Sequence, residues 1–157
     1  MTLMLLAVIA CAGRREARHG LKAEGQYVLG ELPGWERLKD AGGADYAWRN
    51  PQGAVIFADS NCGPNYEDSK LEDLTEKQLA GISEGEPLLS TPLSLAERSA
   101  LQEQYLGRLD GVPVALGITV VKKHFCVYDF VLIAPRGASF DAAWPAYASA
   151  VEGFDPE

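Results

Sequence analysis

A chain of 157 residues, 47% hydrophobic and 23% charged, is long enough for one domain with a real core, too short for two, and too apolar for general disorder. Its formal net charge of −8 is unevenly placed: Arg14, Arg15, Arg18 and Lys22 against Glu16 and Glu24 put residues 1–24 at +2, so the remainder carries −10. An acidic body repels phosphate backbones, which argues against nucleic acid as a partner, and no stretch reaches the roughly 20 apolar residues of a membrane-spanning helix.

Residues 1–10 are apolar except for Thr2, and Cys11 follows them. A run of this length matches the apolar region of a signal peptide and is too short to cross a bilayer. Val8-Ile9-Ala10-Cys11 resembles the lipobox of bacterial lipoproteins. The resemblance implies cleavage before Cys11, diacylation of its sulfur and attachment to a lipid bilayer through it. Each buried CH₂ of an acyl chain contributes about 0.8 kcal/mol, so several chains hold far more firmly than one. Ala12 in place of Asp implies, by analogy with enteric bacteria, the outer membrane rather than the inner one, with the protein facing the periplasm. One feature departs from the pattern: no Lys or Arg precedes the apolar run, so either the true start lies upstream or the export signal is weak. The competing reading is a buried element at 3–10 with Cys11 as a core thiol.

Residues 11–25, charged and carrying Gly13, Gly20 and Gly25, read as a tether, and residues 26–157 as a single domain. The basic part of the tether either lies against anionic headgroups or is a solvated leader. With Cys11 assigned to lipid, Cys62 and Cys126 remain. Two cysteines in an exported protein suggest one disulfide, closing a loop of about 65 residues and contributing about 4 kcal/mol. The alternative is a pair of separate buried thiols.

Short strands are expected at 26–32, 35–39, 46–50 and 54–60, punctuated by Pro33-Gly34, Gly42-Gly43 and Pro51-Gln52-Gly53. Ser69 and Glu72 fit a capping box, and Leu71, Leu74, Leu79 and Ile82 then share a helical face, which predicts a helix over 69–82. Strands at 101–109 and 112–121 flank Asp110-Gly111, a dipeptide suited to a two-residue hairpin because both turn residues need positive φ. A second turn is expected at Lys122-Lys123-His124, followed by a third strand over 125–134. Phe140, Trp144, Tyr147, Val151 and Phe154 step by four, three, four and three, the buried stripe of a terminal amphipathic helix, with Pro145 in or just past its first turn. The order predicts an α+β fold, an antiparallel sheet of about six strands covered by helices.

The early Gly34-Trp35, the helix at 71–82, the Asp110-Gly111 hairpin and the closing run from Phe140 to Phe154 together resemble the PsbP-like fold. That fold is shared by the extrinsic PsbP subunit of photosystem II and the Mog-type Ran-binding proteins of nuclear transport. The chain is also similar to lipoproteins of proteobacteria. The resemblance implies a non-catalytic adaptor that binds another protein, and it carries over no functional residue.

Candidate chemistry is sparse. His124 and Cys126, two apart, could pair as base and thiolate, although a disulfide half beside a turn histidine explains both. Residues 59–68 begin like a calcium loop, but Pro64 stands where Gly is needed and Lys70 where the bidentate Glu belongs. No metal and no cofactor is expected. Asp129 is unusual, set between Tyr128 and Phe130 in a strand. It needs a cation or a backbone donor, or else it is a binding-site acid. The expected activity is a non-enzymatic binding or accessory module for another cell-envelope protein. The alternative is a small-molecule or lipid carrier whose pocket, between sheet and terminal helix, is lined by Trp144 and Tyr147.

Overall fold

A computed structural model describes residues 21–157. The expected signal peptide at 1–10, the lipobox-like run with Cys11 and most of the expected tether at 11–25 lie outside the described residues.

Nine strands and two α-helices follow one another: β1 (Tyr27–Val28), β2 (Glu36–Arg37), β3 (Tyr46–Arg49), β4 (Val55–Cys62), α1 (Leu71–Lys77), β5 (Ile82–Leu95), β6 (Arg98–Leu109), β7 (Val112–Lys123), β8 (Cys126–Pro135), α2 (Ala138–Glu152) and β9 (Asp155–Pro156). Seven form one antiparallel sheet in the order β2-β3-β4-β8-β7-β6-β5, and β1 pairs with β9 apart from it. The expected α+β class holds, with seven strands in the sheet rather than six.

The additional strand is β5, which the sequence hides. Gly85, Pro87 and Pro92 interrupt its pattern, and nearly all of it is exposed. Such residues are tolerated at a sheet edge, where one side of the backbone needs no partner. Two register shifts, between Ser83 and Glu86 and between Pro87 and Leu89, mark where the ladder to β6 is interrupted.

Three consecutive hairpins, β5–β6, β6–β7 and β7–β8, turn through two residues each, all at positive φ: Ala96-Glu97, Asp110-Gly111 and His124-Phe125. Only the middle pair has the expected chemistry. The last turn falls at His124-Phe125 instead of 122–124, because Lys123 pairs with Cys126 across it. Phe125 is therefore a turn residue and not the start of a strand.

One sheet face packs against α2. Phe140, Tyr147, Val151 and Phe154 are buried and Trp144 is half-buried, as the stripe predicts. Tyr27, Tyr128, Phe130 and Phe154 meet as an aromatic cluster with centroids 4.9–6.5 Å apart. Helix α2 begins at Ala138, earlier than expected, so Pro145 sits two turns in. Pro145 and Asp141 are both exposed, and water can satisfy the carbonyl that the missing N–H leaves free. At Gly117 a Cβ would come within 2.5 Å of the Trp144 ring, so the absence of a side chain there lets the indole lie on β7.

The other face is covered by the short α1, whose Leu74 packs with Ile118, Val120 and Val127. This helix stops at Lys77; Gly81 takes φ +87 and Ile82 enters β5 rather than closing the helical face. No capping box forms. Lys70 occupies the cap position without a side-chain bond, and the Ser69 hydroxyl donates to the Asn65 carbonyl, continuing the preceding turn.

Residues 21–25, expected in the tether, are docked on the domain. Leu21 bridges to Cys62, Lys22 pairs with Asp59, and Ala23 is buried with its N–H on the Ser60 hydroxyl. Ser60 in turn donates to Asp45, as does the Tyr27 hydroxyl, which ties the segment into the core. Among the described residues, no helix is long and apolar enough to cross a membrane.

Candidate functional site

The β4–β8 ladder organises the residues of interest. Its register places Cys62 opposite Cys126, and the two form a disulfide with Cα atoms 4.0 Å apart. The bridge joins residues 64 apart in sequence. It also occupies the Cys126 sulfur, so the His124–Cys126 pair has no thiolate in this state.

Three pairs along the same ladder, Asp59 stands opposite Asp129. Side chains alternate across a strand, so both carboxylates share the α1 face with Asn61 and Val127. Asp59 has a cation, the Lys22 ammonium at 2.5 Å. Asp129 has none in contact: it is 5% exposed, and its Oδ1 has no hydrogen-bond partner. Burial pushes its carboxyl up and the Asp59 charge pushes it further; the Lys22 charge, a hydrogen bond from the Gln78 side chain and the Lys77 charge pull it back, leaving it at about 7. Asp129 lines a cavity of about 170 Å³ under α1, with Tyr66, Leu74, Lys77, Gln78 and Asn61 around it. A buried polar atom without a partner normally costs free energy, so an orphaned carboxylate oxygen beside an opening can accept a donor from outside.

Trp144 and Tyr147, expected around a carrier pocket, fill the space between sheet and helix instead. Tyr147 is fully buried, its hydroxyl shared with Thr119 and the Phe130 carbonyl, both at 2.8 Å. Trp144 packs on Phe140 and Tyr147 with ring centroids 5.6 and 5.4 Å away.

A second cleft, of about 250 Å³, opens at the β7–β8 turn, and sequence reasoning did not find it. Arg98, Lys122, Lys123 and His124 line it against one carboxylate, Glu67, with Phe125 at its rim. Lys122 donates to the Glu67 and Ser69 carbonyls, which fixes the outer loop to the hairpin. Phe125 is 61% exposed at φ 63, in a position that favours Gly or Asn. Left-handed backbone costs a residue with a side chain about 1–2 kcal/mol. The sequence carried part of this signal, two lysines and a histidine before an aromatic; Arg98 joins them only through the fold.

Residues 59–68, weighed as a calcium loop, divide between the end of β4 and a 3₁₀ turn at Pro64–Tyr66. Among the described residues, no three His, Cys, Asp or Glu side chains gather so as to hold a metal ion.

The sequence matches no family model and no curated relative. Its fold, however, is that of several solved structures. Cyanobacterial PsbP (CyanoP) from Synechocystis sp. PCC 6803 superposes with a TM-score of 0.61 at 11% identity, over 84% of this chain and 87% of that one. LpqN of Mycobacterium tuberculosis, described as involved in cell envelope biogenesis, gives 0.60 at 14% identity over 82% and 81%. A point variant of Mog1 gives 0.60 at 12% identity over 87% and 95%. The domain thus has the PsbP/Mog-like α+β fold that its element order resembles. Identities this low establish the fold, and function must be argued from the site.

Proposed function

We propose that this chain is an exported, lipid-anchored bacterial accessory protein that binds another envelope protein and performs no catalysis. Its lipid would be carried on Cys11 and its domain would face the periplasm, at the outer membrane. The lipobox-like Val8-Ile9-Ala10-Cys11 supports the anchor. The disulfide suits an oxidising compartment, and the fold is shared with LpqN, a protein of envelope biogenesis.

The single observation that carries the binding reading is the buried Oδ1 of Asp129, without a hydrogen-bond partner, in its small opening under α1. A lysine, an arginine or a free amide donor of a partner would supply the hydrogen bond that the chain itself omits. In a desolvated setting such a charge-assisted bond is among the stronger ones. No observation favours the carrier alternative, since Trp144 and Tyr147 occupy the interface where its pocket would lie.

Fatty-acid labelling of the wild type and the Cys11→Ala variant tests the anchor: label is expected on the first alone. Affinity capture from envelope extracts with wild type and Asp129→Asn tests the site. A partner held by the wild type and released by the variant is expected; equal recovery with both removes Asp129 from the interface.

A further inference from the structure

One end of the sheet concentrates features that an acidic domain otherwise lacks. Arg98, Lys122, Lys123 and His124 surround the basic cleft, and Phe125 projects from the turn above it. Leu21, 76% exposed, bridges to Cys62 and so lies at this same end, beside the disulfide to Cys126. Glu67 in the cleft, Asp68 next to it on the segment that Lys122 holds, and Glu97 in the neighbouring turn are the acids at this end.

We propose that this end docks on an anionic lipid surface, with Phe125 and Leu21 entering the interfacial layer and Arg98 and Lys123 facing lipid phosphates. The inference rests on the lipid-anchor reading and adds an orientation to it. Leu21 lies ten positions after Cys11, a reach of at most about 35 Å. An acyl group on Cys11 would therefore keep Leu21, and with it this end of the domain, within that distance of the bilayer. Arg14, Arg15 and Arg18 lie within that span, adding to the same sign of charge.

Phe125 is the strongest argument. Folding gains little from a phenylalanine that is mostly exposed at positive φ, where glycine would be unstrained. An exposed apolar ring beside Arg98 and Lys123 suits a membrane interface, apolar below the headgroups and anionic at them. The disulfide fixes the base of the hairpin, so the ring would be presented by a rigid tip. Val112, equally exposed at 60%, is at the opposite end beside Asp110 and provides an internal control.

The test uses the full chain carrying Cys11→Ala, so that no acyl group contributes, and vesicles of phosphatidylcholine with or without about a quarter phosphatidylglycerol. Sedimentation is expected to show at least tenfold stronger partitioning to the anionic vesicles, weakened by added salt. Lys123→Gln should lower it about fivefold, the equivalent of ~1 kcal/mol per lysine at an anionic surface. Phe125→Ser should lower it about tenfold or more, and Val112→Ser should leave it unchanged. Each variant is compared at equal far-ultraviolet circular dichroism. Equal binding to both vesicle types, or binding indifferent to Lys123 and Phe125, overturns the docking surface. Loss of envelope-protein capture by Phe125→Ser with vesicle binding intact overturns it too, in favour of a protein partner. Fatty-acid labelling separates the two readings. A labelled wild type whose unacylated form ignores vesicles keeps the anchor and removes the docking face. An unlabelled wild type whose Phe125-dependent binding persists keeps the face and removes the anchor.

Discussion

Asp59 and Asp129 stand directly opposite each other on one face of the β4–β8 ladder, and only Asp59 has a cation in contact. The asymmetry makes Asp129 the group through which pH acts on the fold. Burial raises its carboxyl from 3.8 to about 7, with Asp59 adding to the rise. Between those values the folded chain holds a proton that the unfolded chain has released. Stability therefore falls as pH rises through this window, and the full penalty is present above pH ~7. Urea unfolding at about pH 5 and pH 8 should show Asp129→Asn gaining on the wild type at the higher pH. The relative gain should be about 2–3 kcal/mol, from the roughly two pK units between pH 5 and the raised value at 1.36 kcal/mol each. A gap between the two proteins that is the same at both pH values would refute the shift.

Gly117 is expected to be intolerant of any side chain, because the Trp144 ring lies where a Cβ would be. Gly117→Ala should cost about 1–3 kcal/mol by overpacking. Combining it with Trp144→Leu should recover part of that loss, and a double-mutant cycle in thermal unfolding measures the coupling.

The Tyr147 hydroxyl bonds Thr119 and the Phe130 carbonyl in a fully buried setting. Tyr147→Phe keeps the packing and strands both partners, so it should cost about 1–3 kcal/mol. Thermal unfolding of Tyr147→Phe beside Thr119→Val, which removes the opposite partner, shows whether the two effects add.

The disulfide closes the loop between β4 and β8, across residues 64 apart. Replacing both cysteines by alanine should lower stability by about 3–4 kcal/mol, with the shared register of the two strands retained. A double variant whose denaturant midpoint equals that of the oxidised protein would show that the bridge constrains nothing.

What the sequence revealed follows from how locally each feature is encoded. The stripe from Phe140 to Phe154 is set by helical period alone, and Asp110-Gly111 by turn chemistry, so both were legible. The position of Pro145 is not legible from the stripe, which marks the helix only from Phe140, whereas the helix begins at Ala138 in a turn that contributes little apolar signal. β5 was illegible because an exposed edge strand needs no alternation and tolerates Pro87 and Pro92. The turn at Ala96-Glu97 is hidden, and the one expected at 122–124 is displaced to His124-Phe125, for the opposite reason: their residues disfavour the conformation that the flanking strands impose. At the site, Asp129 stood out as an acid within an apolar strand. Its lack of a partner, and the meeting of Arg98 with Lys123, depend on register and only the fold could supply them.

The pairing of β1 with β9, Tyr27 with Pro156, has a consequence for biosynthesis. A strand near the start of the domain has its partner in the last residues of the chain, and Tyr27 rests on Phe154 in the same closure. A chain emerging from a ribosome or threading a translocation pore from its amino end cannot seal this seam until residue 156 is clear. Until then Tyr27, Tyr128 and Phe130 lack their cover, and contacts this distant in sequence form slowly. The arrangement keeps the polypeptide unfinished until its last residues are free to pair.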